Sequence, residues 1–247
     1  MTVIMNLVLD IGNTHTKAGW FEHGLLAENL HFGTITRKQL NGILSHYPVD
    51  KVIVSSVGQP VRDMFKSAGS GLKKLFFLDP TLPLPLKINY RSPETLGHDR
   101  VAAAAGASCI YPRSSILVMD LGTAITIDFV SADGIFMGGN ISPGLHTRFK
   151  ALHEHTARLP LVNEDSDFPE FGHDTQTAIA AGVQQGIIHE LNGYISLFES
   201  RYPDCRFVVT GGDSGFFAHK LKKIIFSYPD LVLTGLNHIL EFNSPAE

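Results

Sequence analysis

Three acids stand where chemistry would need them. Asp10 ends the apolar run Leu7-Val8-Leu9 and opens Asp10-Ile11-Gly12-Asn13-Thr14-His15-Thr16-Lys17. Asp120 ends Leu117-Val118-Met119 and opens Asp120-Leu121-Gly122-Thr123-Ala124-Ile125-Thr126-Ile127-Asp128. Asp99 lies between them in Gly97-His98-Asp99-Arg100. The first and last stretches align without a gap, matching at Leu, Val, Asp, Gly and the later Thr, so the chain reads as two related halves. A glycine turn at a strand end lets backbone N–H groups converge on an anion, and Thr14 and Thr16 add hydroxyl donors. A carboxylate beside phosphate oxygens repels them unless a cation intervenes, so Asp10 implies a metal carried by the phosphates. The plain alternative is a hairpin whose Asp and Asn cap their own turn, and duplication weighs against it.

These residues need strands that stop at the acids and a helix that starts at one. Thr16 to Glu22 and Leu25 to Phe32 continue an antiparallel meander. Thr36 caps a helix to about His46, Lys51–Val57 is a buried strand, Pro60 to Ala68 a helix and Lys74 to Leu78 a further strand. An alanine-rich helix follows Gly97-His98-Asp99-Arg100. An acid at a helix start is commonly a cap, but Arg100 supplies a cation for a carboxylate or phosphate and Tyr90 can shield a substrate. That grouping points to a second ligand. The second half repeats the strand and hairpin from Ser115, then places Ile141-Ser142-Pro143-Gly144 at the start of a helix to Leu152. Asn163 to Asp174 is an exposed acidic loop, and Thr175 to Glu199 the longest helix, with Ile179, Val183, Ile187 and Leu191 on one stripe. Arg206 to Thr210 is a strand running into Gly211-Gly212-Asp213. Leu231–Leu233 reads as a strand, Leu236 to Phe242 as a helix, and the end from Asn243 as frayed. The fold class is therefore α/β, with a hinge near Pro112 between domains of residues 1–112 and 113–247.

The 247 residues suffice for two modest cores, and 44% hydrophobic with 18% charged residues suits a globular protein. A net charge of −4 gives no general attraction to nucleic acid or acidic membranes. No basic leader with a long apolar segment and no apolar run of roughly twenty residues occurs, so a cytoplasmic chain without membrane partners is expected. Cys109 and Cys205 form no CxxC pair, His153-Glu154-His155 lacks the spacing of HExxH, and neither a Gly-x-Ser-x-Gly elbow nor a Gly-x-x-x-x-Gly-Lys-[Ser/Thr] loop is present.

With Asp10-x-Gly-Asn-Thr, Gly97-x-Asp-Arg, Asp120-x-Gly-Thr-Ala-x-Thr-x-Asp128 and Thr210-Gly-Gly in this order, the chain resembles the type III pantothenate kinases over nearly its whole length. They belong to the superfamily of actin, sugar kinases and heat-shock ATPases. The resemblance implies two ribonuclease-H-like domains with mixed sheets flanked by helices, a homodimer, and ATP-dependent phosphorylation of pantothenate, the first step of coenzyme A synthesis. It also implies Mg²⁺ and a monovalent cation, potassium or ammonium. Asp10, Ile11, Gly12, Asn13, Thr14, His15, Thr16, Lys17 and Thr123 would bind ATP, with Asp10 near Mg²⁺ through phosphate or water and Asp120 on the monovalent cation. Asp99 would be the general base, and Tyr90, Gly97, His98, Asp99, Arg100 and Thr175 would contact or enclose the substrate. His98 departs from the family pattern, where a smaller residue such as alanine is expected. Two other readings share the architecture: a non-catalytic nucleotide-binding regulator like the Bvg accessory factors, and a kinase of the same superfamily for another small alcohol.

Overall fold

The protein is described here by a computed structural model covering residues 4–12, 15–56, 61–68, 72–223 and 225–245. The chain folds into two compact units, Met1–Ile110 together with Leu231–Glu247, and Tyr111–Asp230. The C-terminal segment Leu231–Glu247 belongs to the first unit, and not, as an expected domain of residues 113–247 has it, to the second.

In the first unit β1 (Met5–Ile11), β2 (Thr16–Glu22) and β3 (Leu25–Phe32) form an antiparallel meander. On the other side of β1, β4 (Val49–Ser56) and β5 (Lys74–Phe77) add in parallel, giving the order β3-β2-β1-β4-β5. A strand alternates its side chains between two faces. Leu7, Leu9, Ile11, Ala18, Trp20, Val52 and Val54 therefore share one face, and they pack with Leu40 and Ile43 of α1 (Arg37–His46) and Val61 and Phe65 of α2 (Val61–Ala68). Thr36 starts α1 through a reciprocal capping box with Gln39, which satisfies two otherwise orphaned N–H groups.

The other face carries Asn6, Val8, Asp10, Lys17 and Ser55, and Asn6 Nδ2 donates to Asn237 Oδ1 at 3.0 Å. Asn237 belongs to α7 (Leu231–Asn243), which crosses α3 (His98–Ile110) on this side of the sheet. The crossing explains the alanine-rich sequence. A methyl on Gly235 would lie 1.7 Å from the Ala102 carbonyl oxygen, and one on Gly106 would lie 2.5 Å from that of Leu231. Backbones this close admit only side-chain-free or very small residues. The expected strand at Leu231–Leu233 is thus the first turn of a single helix: three consecutive apolar residues carry no period, and burial against α3 selects the helix. Nor does the end fray at Asn243. Ser244 is buried, Lys51 Nζ donates to its carbonyl at 3.3 Å, and Asn243 Nδ2 donates to the Pro83 carbonyl at 2.9 Å.

A two-residue strand β6 (Lys87–Ile88) precedes α3. The second unit repeats the first plan. Antiparallel β7 (Ile116–Leu121), β8 (Ala124–Val130) and β9 (Ile135–Pro143) are followed by parallel β10 (Arg206–Thr210) and β11 (Phe226–Ser227), in the order β11-β10-β7-β8-β9 within the unit. Leu117, Met119, Leu121, Ile125, Ile127, Phe207 and Val209 pack against α4 (Leu145–Glu154) and α5 (Thr175–Arg201). The expected stripe of α5 is buried at Ile179, Val183, Ile187 and Leu191, each side chain contributing about 1.5–3 kcal/mol. Asp174 caps α5 by accepting from Thr177 N at 2.9 Å. The short α6 (Ser214–Ala218) and β11 lie in stretches whose sequence shows no clear period. Each unit is a mixed sheet flanked by helices, the expected α/β architecture.

Candidate active site

In the first unit the β1–β2 turn is bounded by the Ile11–Thr16 pair and closed by Gly12 N–H donating to the His15 carbonyl at 2.9 Å. Asn13 and Thr14 lie outside the described residues. His15 is exposed. Asp10 pairs in register with Lys17 on β2 and with Ser55 on β4, so all three side chains leave the same face of the sheet. Thr16 and Ile11 point to the opposite face and are fully buried, so their side chains are not brought to Asp10.

Burial pushes the Asp10 carboxyl up to about 6; the Ser55 hydroxyl and the Lys17 charge oppose the rise and Asp99 adds to it. A carboxylate held out of water and near a second carboxylate gains most from a cation. This corner of the unit therefore fits a metal-bearing phosphate chain better than a bare anion. Among the described residues no group of three or more His, Cys, Asp or Glu side chains is placed to hold a metal ion.

Asp99 stands in the first turn of α3, exposed, with Oδ1 accepting the Arg100 N–H at 2.8 Å. Gly97 makes room for it, since a methyl there would lie 2.5 Å from that oxygen. Arg100 is buried at 5% exposure, with its guanidinium carbon 5.7 Å from the centre of the Tyr90 ring. A buried guanidinium beside an aromatic ring keeps its charge while losing freedom, which suits recognition of a carboxylate. His98 lines a cavity of about 270 Å³ together with Ser56, Arg62 and Asp79 among others.

In the second unit Gly122 N–H closes the β7–β8 turn on the Ala124 carbonyl at 3.1 Å, leaving Thr123 exposed. Asp120 pairs with Thr126 on β8 and Thr210 on β10. The next turn lies hard against it: Gly211 has φ 91°, and a methyl there would lie 2.4 Å from Asp120 Oδ1. Only glycine combines that dihedral with that approach. Asp213 N–H donates to the Leu121 carbonyl at 2.9 Å. The Asp213 carboxyl is raised by burial, an effect opposed by His146, whose Nε2 is 3.8 Å away, and reinforced by Glu164. Thr175, the first residue of α5, is exposed and lines a groove of about 830 Å³ with Arg148, Thr156 and Ile179.

Each unit thus gathers its own set: Asp10, Lys17 and Asp99 in the first, Asp120, Thr123 and the Gly211 turn in the second. Ser55 was not foreseen, because only strand pairing puts it beside Asp10. The partners of Thr123 were likewise hidden, although the Ser142-Pro143-Gly144 loop that supplies one of them was visible as a helix start.

The sequence model of one protein family, described as type III pantothenate kinase, matches residues 6–197. A type III pantothenate kinase of Bacteroides fragilis is 43% identical over 244 residues, covering 97% of this chain and 99% of that protein. One from Porphyromonas gingivalis is 39% identical over 241 residues, covering 96% and 98%. Among solved structures, a conserved putative Baf family transcriptional activator from Campylobacter jejuni aligns with a TM-score of 0.65 at 23% identity, covering 97% of this chain and 100% of that one. A ROK family glucokinase from Streptomyces griseus, solved with glucose and AMPPNP, aligns with a TM-score of 0.56 at 12% identity, covering 96% and 99%. At these identities the two structures speak for the fold alone.

Proposed function

This chain belongs to the type III pantothenate kinase family, and we propose how its own residues carry out the reaction. The enzyme transfers the γ-phosphoryl group of ATP to the primary hydroxyl of pantothenate, giving 4′-phosphopantothenate and ADP at the start of coenzyme A synthesis. The observation that carries the assignment of roles is that Asp10, at the end of β1, and Asp99, at the start of α3, are near enough for the Asp99 charge to raise the Asp10 carboxyl.

Asp99 is the general base. An exposed carboxylate, with a reference pKa of about 3.9, cannot deprotonate an alcohol outright, but it orients the hydroxyl and takes its proton as the new O–P bond forms. The bond from the γ-phosphorus to the bridging oxygen breaks at the same time and ADP departs. Because the transition state is loose, alignment and charge neutralisation supply most of the rate. Arg100, beside the Tyr90 ring, receives the pantothenate carboxylate, while Gly97 and His98 shape the entrance to α3; Thr175 is assigned as a further substrate contact.

Asn13, Thr14, His15 and Lys17 hold the ATP phosphates, with Ile11, Gly12 and Thr16 bounding that turn, and Thr123 holds them from the second turn. Asp10 faces the Mg²⁺ that travels with ATP, and Asp120 holds a monovalent cation, potassium or ammonium. These ions supply neutralisation of phosphate charge when bound. The working form is a homodimer in the cytoplasm. No helix among the described residues is long and apolar enough to cross a membrane.

Retention of Asp10, Asp99 and Asp120 disfavours a purely regulatory nucleotide-binding role. Incubation with ATP, Mg²⁺, potassium and pantothenate should release ADP only when pantothenate is present. ADP release with another small alcohol and none with pantothenate would select a different acceptor.

A further inference from the structure

The roles above leave Thr147, Arg148 and Glu190 without a function, yet Thr147 bonds the second phosphate turn and the other two bond the loop beside it. Gly144 N–H donates to the Thr123 carbonyl at 3.0 Å, and the backbone approaches so closely that a methyl on Gly144 would lie 1.8 Å from the Gly122 carbonyl oxygen. Thr147 Oγ1 donates to the same Thr123 carbonyl at 2.7 Å. Two donors on one carbonyl fix the direction of the peptide plane that joins Thr123 to Ala124. Arg148 then secures the loop that delivers them. Its Nε donates to the Pro143 carbonyl at 2.7 Å and its Nη2 to Ser142 Oγ at 3.3 Å. The same guanidinium pairs with Glu190 of α5, and Ser142 Oγ donates to the other Glu190 oxygen at 2.6 Å. Both charged side chains are only 22% exposed, so this pair is screened less than a surface ion pair.

We propose that Thr147 is a positioning residue for the ATP-binding turn, and that the Arg148–Glu190 pair braces it from α5. The inference rests on the assignment of Thr123 to the ATP phosphates. The turn closes on itself through Gly122 N–H to the Ala124 carbonyl, and the bonds to the Thr123 carbonyl fix the peptide inside that closure; without the Thr147 hydroxyl that peptide is held less firmly and phosphate is met by a less ordered set of donors. Preorganisation of this kind acts on nucleotide affinity and leaves acceptor binding alone.

The test compares Thr147→Val, which keeps the shape and loses the hydroxyl, with Thr147→Ser, which keeps the hydroxyl. Mg·ADP affinity is measured by calorimetry, and KM for ATP and for pantothenate in steady state. Thr147→Val should weaken Mg·ADP and raise KM for ATP by about tenfold, the effect of one lost hydrogen bond. KM for pantothenate should stay unchanged, the Tm should fall by no more than the few degrees that one hydrogen bond accounts for, and Thr147→Ser should restore the nucleotide values. Arg148→Lys should shift nucleotide affinity in the same direction as Thr147→Val. Unchanged Mg·ADP affinity in Thr147→Val, or equal losses for both substrates with a lowered Tm, would overturn the proposal. Mg·ADP binding needs no turnover, so the brace is read independently of whether pantothenate is the acceptor.

Discussion

Asp99 at the start of α3 lies near enough to Asp10 at the end of β1 for its charge to help push the Asp10 carboxyl upward. A largely desolvated acid on the sheet with a second, exposed acid close by is costly to the fold and useful only if a cation or a proton is handled there.

The cost is measurable. A carboxyl raised from 3.8 to about 6 binds more protons folded than unfolded, so stability falls as pH rises from near 4 through 6 and stays lower above. The penalty is about 3 kcal/mol at most. Asp10→Asn should therefore raise the Tm more at pH 8 than at pH 4, while abolishing activity. Equal Tm gains at both values would show that the charge carries no folding cost.

Asp99→Asn keeps the hydrogen bond acceptor that the Arg100 N–H uses and removes the proton acceptor. Turnover should drop by roughly 10²–10⁴, with Mg·ADP affinity unchanged by calorimetry. Wild-type turnover in this variant would remove the base assignment.

Arg100→Lys preserves charge but loses the planar fork of donors beside Tyr90. KM for pantothenate should rise about tenfold or more while KM for ATP holds. An unchanged KM for pantothenate would mean that Arg100 serves only to hold α3.

Gly235→Ala forces a methyl to within 1.7 Å of the Ala102 carbonyl oxygen, and overpacking there should cost roughly 1–3 kcal/mol or more. Gly182→Ala in α5 meets nothing within 4 Å and should stabilise by about 0.5–1 kcal/mol. Chemical denaturation of the two variants tests the contrast directly.

Much of the frame was legible because strand and helix periods survive in single segments. The β1–β2 and β7–β8 hairpins, α1 with its Thr36 cap, and α5 with its buried stripe follow from alternation, capping and helical spacing alone. What was not legible depends on partners remote in sequence. Leu231–Leu233 has the composition of a strand, and only Gly106 and Ala102 on α3 make it a helix. Asn243 and Ser244 look like a loose end until Lys51 and Pro83 supply their bonds. The Asp10 and Asp120 turns could be picked out by their own residues, but Ser55 reaches Asp10 through strand register, and Thr147 reaches Thr123 through a loop no local pattern specifies.

At the centre of the account stands phosphorylation of the primary hydroxyl of pantothenate with Asp99 as the base. Phosphorus NMR of the product formed from ATP, Mg²⁺, potassium and pantothenate tests it most directly. A new phosphomonoester resonance, coupled to the 4′ methylene protons and absent with Asp99→Asn, is the expected result. Inorganic phosphate alone, or a phosphomonoester that forms equally well with Asp99→Asn, would contradict it.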